Sequence, residues 1–188
     1  MNVGIDTLLE YTEEHMMKTV EHMQTDFNAV RTGKASPGLV ENISVDYYGT
    51  PTRLKEIAGI TAPEPRLLVI QPWDPSSVTA IEKAIQASNI GISPVSDGRI
   101  LRLPIPELSE ERRKSLTKQV KTRAEEARIA IRNIRRDSNE VAKKAQKDSK
   151  ITEDELKSNL DEIQKLTDDY IKQVDTVVHK KENELMAL

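Results

Sequence analysis

Apolar side chains recur at threes and fours from Ile5 to Val30, with Leu8, Leu9, Thr12, Met16, Val20, Met23 and Phe27 on one stripe. The pattern predicts a helix from Asp6 to Thr32, with Gly33 as its stop and Pro37-Gly38 barring continuation. The texture then changes. Six of the seven glycines and all nine prolines fall between Gly33 and Pro106. Alternation at Ile43, Val45 and Tyr47 and β-rich runs at 67–70 and 100–103 predict strands. One short helix interrupts them: Asp74 caps it, Pro75 fits its first turn, Val78, Ile81 and Ile85 make its face, and Gly91 follows its end. Tyr47-Tyr48-Gly-Thr-Pro51 reads as a strand entering a turn, one tyrosine buried and the other free.

Helical periodicity resumes at Ser109, a candidate cap, and runs to Lys147. Val120, Ala127, Ile134 and Val141 form one heptad column, and Thr117, Ala124, Ile131, Ser138 and Ala145 form a second. That is a rod of roughly 58 Å at 1.5 Å per residue. A last helix opens with Thr152 and Glu155 as a capping box and Ile151 and Leu156 as a staple. Its seam continues through Leu160, Ile163, Thr167, Tyr170, Val174, Val177 and Leu185.

None of the three long helices can bury its stripe alone. The expected fold class is α+β: an elongated antiparallel three-helix bundle from residues 1–32 and 105–188, with a small β/α/β domain, 33–104, inserted between them. Two strands of chain carry the insert, and Gly33, Pro37 and Gly38 on one with Leu103, Pro104 and Pro106 on the other are the expected hinge of an L-shaped molecule.

Composition narrows the chemistry. Without cysteine there is no disulfide, thiol nucleophile or thiolate metal site. No stretch approaches ~20 apolar residues and no apolar leader opens the chain, so a cytoplasmic protein without a membrane role is expected. Thr32-Gly-Lys-Ala35 fails as a phosphate-binding loop, because Asn28 stands where glycine is needed and Ala35 where Ser or Thr is needed. His15 and His22 have Thr12 and Thr19, not glutamates, three residues earlier, so they read as ordinary surface or half-buried residues. No enzyme motif, metal or cofactor is expected.

Charge supplies the positive signal. Residues 109–147 carry thirteen Lys/Arg against six Asp/Glu, net +7, while residues 1–32 sum to −4 and 148–188 to −5. Lys121, Arg128 and Arg135 each follow a core-column residue by one, and Arg132 lies four from Arg128 and three from Arg135. Arg136, Lys118 and Lys143 widen the patch, and Ile129 adds an outward apolar contact. Such a face can be a solvated surface paired with acids of the neighbouring helices. The size of the excess and the arginines at its centre favour a phosphate backbone, whose geometry the planar guanidinium fork matches. Arg31 and Lys34 add a basic pair at the first hinge strand. Structured RNA read by shape fits a rod of this kind. The alternatives are a helical scaffold or adaptor, which explains the heptads but not the arginines, and a general RNA-binding protein. A single-strand binder would need aromatic platforms, and residues 109–147 contain none.

At these residues the chain resembles the ribosome recycling factor family of bacteria and organelles. The likeness spans the whole length: Arg31-Thr-Gly-Lys-Ala-Ser-Pro37, Val45-Asp-Tyr-Tyr-Gly-Thr-Pro51, Glu82-Lys-Ala-Ile85, Arg102-Leu-Pro-Ile-Pro106, Glu110-Glu-Arg-Arg-Lys114, Ala130-Ile-Arg-Asn-Ile-Arg-Arg-Asp137 and Gln164-Lys-Leu-Thr-Asp168. The family usually has arginine where this chain has Lys34, which keeps the charge and loses the fork. The resemblance implies a monomeric translation factor that binds the large ribosomal subunit after termination. It acts with elongation factor G, whose GTP hydrolysis separates the subunits and frees messenger and transfer RNA. By the same resemblance Arg132, Arg135 and Arg136, with Arg128 beside them, face 23S-type ribosomal RNA. Arg31, Arg112 and Arg113 are further contacts, and the insert faces elongation factor G.

Overall fold

A computed structural model describes residues 4–187, which fold as two compact units, one from the described residues up to Gln24 together with those from Thr117 onward, the other Thr25–Leu116. In chain order the elements are α1 (Leu8–Asn28), β1 (Ser44–Tyr47), β2 (Thr50–Arg53), β3 (Ala58–Glu64), β4 (Leu67–Pro72), α2 (Val78–Ala87), β5 (Val95–Ser96), β6 (Leu101–Pro104), α3 (Glu110–Lys147) and α4 (Glu153–Met186). The architecture is α+β, three long helices and a small all-antiparallel sheet.

In the first unit α1, α3 and α4 pack as a bundle. Leu8, Ala142 and Ile163 meet in one cluster, and the Thr12 and Ser138 hydroxyls meet one turn further along α1. Advance along α1 is therefore retreat along α3. Glu13 reaches Tyr170 of α4, so α1 and α4 run the same way, and α3 opposes both. Along α4 the buried residues are Ile163, Thr167, Tyr170, Val174, Val178, Lys181 and Leu185. Val178 takes the place expected of Val177, because a straight helix turns every 3.6 residues and a seven-residue column drifts by about 20° per heptad. The same drift acts on α3. Ala124, Ile131, Ser138 and Ala145 stay buried, while the Val120–Ala127 column emerges to half-exposure at Ile134 and Val141, and Ala142 replaces it inside.

α4 begins as the local signal requires. Thr152 Oγ1 accepts from the Glu155 amide (3.2 Å), and the Glu155 carboxylate accepts from the Thr152 amide (2.7 Å). α1 stops at Asn28, four residues before the expected Thr32. There the Val30 amide turns to the Phe27 carbonyl at 3.0 Å, a tighter closure that ends the ladder ahead of Gly33.

In the second unit the sheet order is β3-β4-β6-β5, with Leu68 opposite Leu103 and Ile70 opposite Leu101. Those four side chains share one face, where Val78, Ile81 and Ile85 of α2 join them in a single core. β1 and β2 form a separate hairpin. Tyr48 and Gly49 at its tip both have positive φ, 51° and 80°, as a two-residue hairpin turn of the primed type requires. β2, β3 and β5 were not expected. β2 carries Pro51, β3 carries Gly59 and Pro63 with an irregularity between Thr61 and Glu64, and β5 is two residues long, so each dilutes the alternating pattern that marks a strand.

Candidate nucleic-acid interface

At 100° per residue the positions of α3 sort into a core stripe and, beside it, a basic one. Lys121, Arg128 and Arg135 flank the core on the side of α4, and each meets a partner there. Lys121 Nζ is 3.5 Å from Glu182 Oε1. Arg128 donates from Nε and Nη2 to Asp175 Oδ1 (3.0 and 2.6 Å) and from Nη1 to Glu125 Oε2 (3.1 Å). Arg135 donates from Nη1 to Gln164 Oε1 (3.1 Å), whose amide in turn donates to Asp168 Oδ1 (2.9 Å). Partner numbers on α4 fall as those on α3 rise, as the antiparallel run of the two helices requires.

Arg128 is largely enclosed, its side chain 23% exposed. Partial burial disfavours its charge, but the bonds to Asp175 and Glu125 outweigh that and hold its pKa above the ordinary arginine value. Arg135 is half-buried, and its Nε lies out of solvent with no hydrogen-bond partner. Gln164 of α4 holds it against that helix instead of leaving it open to solvent.

Further round the helix the arginines are open. Arg132 is 50% exposed, and its polar partner among the described residues is Glu125, Nη1 to Oε1 at 3.4 Å. Arg136 is exposed and donates from Nη2 to Asn133 Oδ1 (3.1 Å). Ile129, also exposed as expected, lies three residues from Arg132 and seven from Arg136 on the same stripe. Guanidinium edges beside an apolar side chain are equipped to take phosphate oxygens and the sugar next to them. Glu125, Asp175 and Gln164 were missing from the sequence-level site. Glu125 was legible as an acid three residues before Arg128, whereas the α4 pair depends on packing.

The remaining candidates lie in the second unit. Arg112 is exposed in the first turn of α3, where its amide donates to the Ser109 hydroxyl (3.2 Å), and Arg113 is half-buried. Arg31 donates from Nη2 to the Pro106 carbonyl (3.2 Å). The expected hinge residues are built into this unit. Gly33 has φ +81°, which calls for glycine, and a Cβ on Gly38 would be crowded at 3.0 Å from the Asn28 carbonyl oxygen. Pro37 starts a single 3₁₀ turn, Pro37–Leu39. Leu103 is buried in β6, Pro104 ends that strand opposite Leu67, and Pro106 is exposed. Further ties are the Ala35 amide to the Pro65 carbonyl (2.7 Å), the Ile105 amide to the Arg66 carbonyl (2.8 Å) and the Arg66–Glu107 ion pair.

A second polar cluster surrounds Asp74. Its Oδ2 accepts from Tyr48 (2.7 Å) and Tyr47 (3.4 Å), and its Oδ1 accepts from the Ser76 amide (2.9 Å) and hydroxyl (2.7 Å). The bonds from Ser76 and Tyr48 hold its pKa below the ordinary aspartate value. They also tie down Tyr48, whose left-handed backbone is costly for a side chain of its size. Tyr47 is half-buried and Tyr48 exposed, yet both are engaged.

His15 stacks on Tyr11 at 3.8 Å, its Nδ1 2.9 Å from the Tyr11 carbonyl, and His22 is exposed. Among the described residues no cluster of His, Asp and Glu is arranged to hold a metal ion, and no helix is long and apolar enough to cross a membrane.

Residues 23–186 match the family described as "Ribosome recycling factor". The chain is 53% identical over 182 residues to the ribosome-recycling factor of Syntrophomonas wolfei, covering 97% of this chain and 98% of that one. It is 56% identical over 180 residues to that of Thermoanaerobacter pseudethanolicus, covering 96% and 98%. A solution structure of the ribosome recycling factor superposes over the full length of both chains with TM-score 0.80 and 37% identity. The T. thermophilus factor, described with E. coli elongation factor G on the E. coli post-termination complex, superposes with TM-score 0.70 and 43% identity over 98% of this chain and 100% of that one. The chain belongs to the ribosome recycling factor family.

Proposed function

We propose that this chain binds the post-termination ribosome through 23S-type RNA of the large subunit. There it works with elongation factor G, whose GTP hydrolysis separates the subunits and releases messenger and transfer RNA for another round of translation. The chain makes and breaks no covalent bond, acts as a monomer in the cytoplasm, and supplies a stiff bundle docked by charge. The 33–104 insert meets the partner, and chain near Gly33–Gly38 and 103–106 transmits the motion. The observation that carries the reading is the pair Arg132 and Arg136, exposed on one stripe of α3 within a segment of net +7. A structural relative described with elongation factor G on a post-termination complex supports the choice of partners. The scaffold alternative loses ground, because among the described residues most of the apolar stripes of the long helices are already buried within the bundle.

The test is co-sedimentation with purified large ribosomal subunits over a range of salt. Phosphate contacts require affinity to fall by about 0.7–0.9 log units per phosphate neutralised for each log unit of salt. Equal binding at low and high salt, or a stable homodimer that ignores the subunits, overturns the reading.

A further inference from the structure

We infer that Glu125 is a positioning residue for Arg132, an acid placed inside an anion-binding face to aim the arginine beside it. The inference rests on the proposed grip of Arg132 on ribosomal phosphate. Four charged side chains alternate in sign across the α3–α4 surface. Asp175 holds Arg128 at 2.6 and 3.0 Å, Arg128 holds Glu125 Oε2 at 3.1 Å, and Glu125 Oε1 holds Arg132 Nη1 at 3.4 Å. The ladder begins on α4 and ends in solvent. Arg128, at 23% exposed, is its enclosed member, while Asp175, Glu125 and Arg132 are each 50–56% exposed.

Arg128 and Arg132 therefore do different work although both were candidates for the same task. Arg128 spends Nε, Nη1 and Nη2 on carboxylates of its own chain, which makes it a strut between helices. Arg132 spends Nη1 alone and keeps Nε and Nη2, an edge that can meet two phosphate oxygens at once. An arginine on an open helix face samples many rotamers, and each binding event must freeze them. A carboxylate one helical turn from Arg128 and two from Arg132, itself anchored by Arg128, restricts that freedom before the ligand arrives.

The two possible roles of Glu125 predict effects of opposite sign. As a bystander it only repels phosphate, so Glu125→Gln should tighten binding. As a positioning group it does more by orienting Arg132 than it costs by repulsion, so Glu125→Gln should weaken binding. The experiment measures affinity for purified large ribosomal subunits with the unchanged chain, E125Q, Arg132→Ala and the double variant. Circular dichroism melts of E125Q and the unchanged chain should coincide, because Glu125 is exposed.

The expected result is about threefold to tenfold weaker binding by E125Q, the range set by one immobilised side chain, with the salt dependence unchanged. In the R132A background the same substitution should cause no loss. Unchanged or tighter binding by E125Q while R132A binds poorly overturns the positioning role and leaves the function standing. So does an equal loss in both backgrounds. If R132A itself binds normally, both the positioning role and the phosphate grip fall.

Discussion

Ser138 of α3 donates its hydroxyl to Thr12 of α1 across 2.7 Å, deep inside the bundle. The direction follows from counting protons. Thr12 has one, and it is committed to the Leu8 carbonyl at 2.7 Å, so Thr12 can only accept from Ser138. This buried polar contact between two largely apolar stripes works as a register mark, because any slide of α1 along α3 leaves the Ser138 hydroxyl without its acceptor. Small neighbours on α3, Ala142 and Ala145, let the helices approach closely enough for it.

Ser138→Ala should lower the unfolding free energy by about 1 kcal/mol, the loss of one buried hydrogen bond whose acceptor can relax. Ser138→Leu should cost more, about 1–3 kcal/mol, because the position has no spare volume. Urea unfolding of the two variants measures the difference. Equal, negligible effects would show that the site is neither tight nor dependent on the hydroxyl.

Arg135 and Arg136 are neighbours in sequence and should separate in experiment. Arg136→Ala should weaken binding to large ribosomal subunits and leave thermal unfolding unchanged, since its side chain is open to solvent. Arg135→Ala should also lower stability, by roughly 1 kcal/mol, through the lost bond to Gln164 and the apolar stem packed under α4. Melting curves recorded beside the binding isotherms check both. Coincident melts for the two variants would contradict the half-buried place of Arg135.

Asp74 makes the hairpin cluster sensitive to acid. Its folded-state pKa is depressed, so the cluster gains stability above the ordinary aspartate range and loses it as pH falls through the lowered value. Trp73 is adjacent, 67% exposed, and the chain's one tryptophan, so its fluorescence reports the event. An acid titration should show a Trp73 transition with a midpoint below that of a free aspartate, and Asp74→Asn should abolish it. A midpoint at or above the ordinary value would mean that Ser76 and Tyr48 do not hold the carboxylate.

Much of the helical frame was legible because its determinants are local. Thr152 and Glu155 cap each other within one turn of chain, and the stripe from Leu8 to Phe27 needs only the helical period to be seen. The short helix behind Asp74 and Pro75 was readable for the same reason. β3 was not, since Gly59 and Pro63 erase its alternation and only β4 beside it makes it a strand. The basic face was readable as a class of residue on one side of α3. The distinct duties of its arginines were not.

The sequence alone thus determined that three long helices form, most of the stripe each buries, that thirteen cations share one rod, and the family to which the pattern belongs. Tertiary structure decided which arginines are free. Asp175 and Gln164 lie 47 and 29 residues from their partners, and no period within α3 can foretell them. They arrive beside Arg128 and Arg135 because the antiparallel register of α4, set by side-chain packing in the core, carries them there. Arg132 and Arg136 are left to solvent by the same geometry: a helix 3.6 residues to the turn cannot present all of its basic positions to one neighbour.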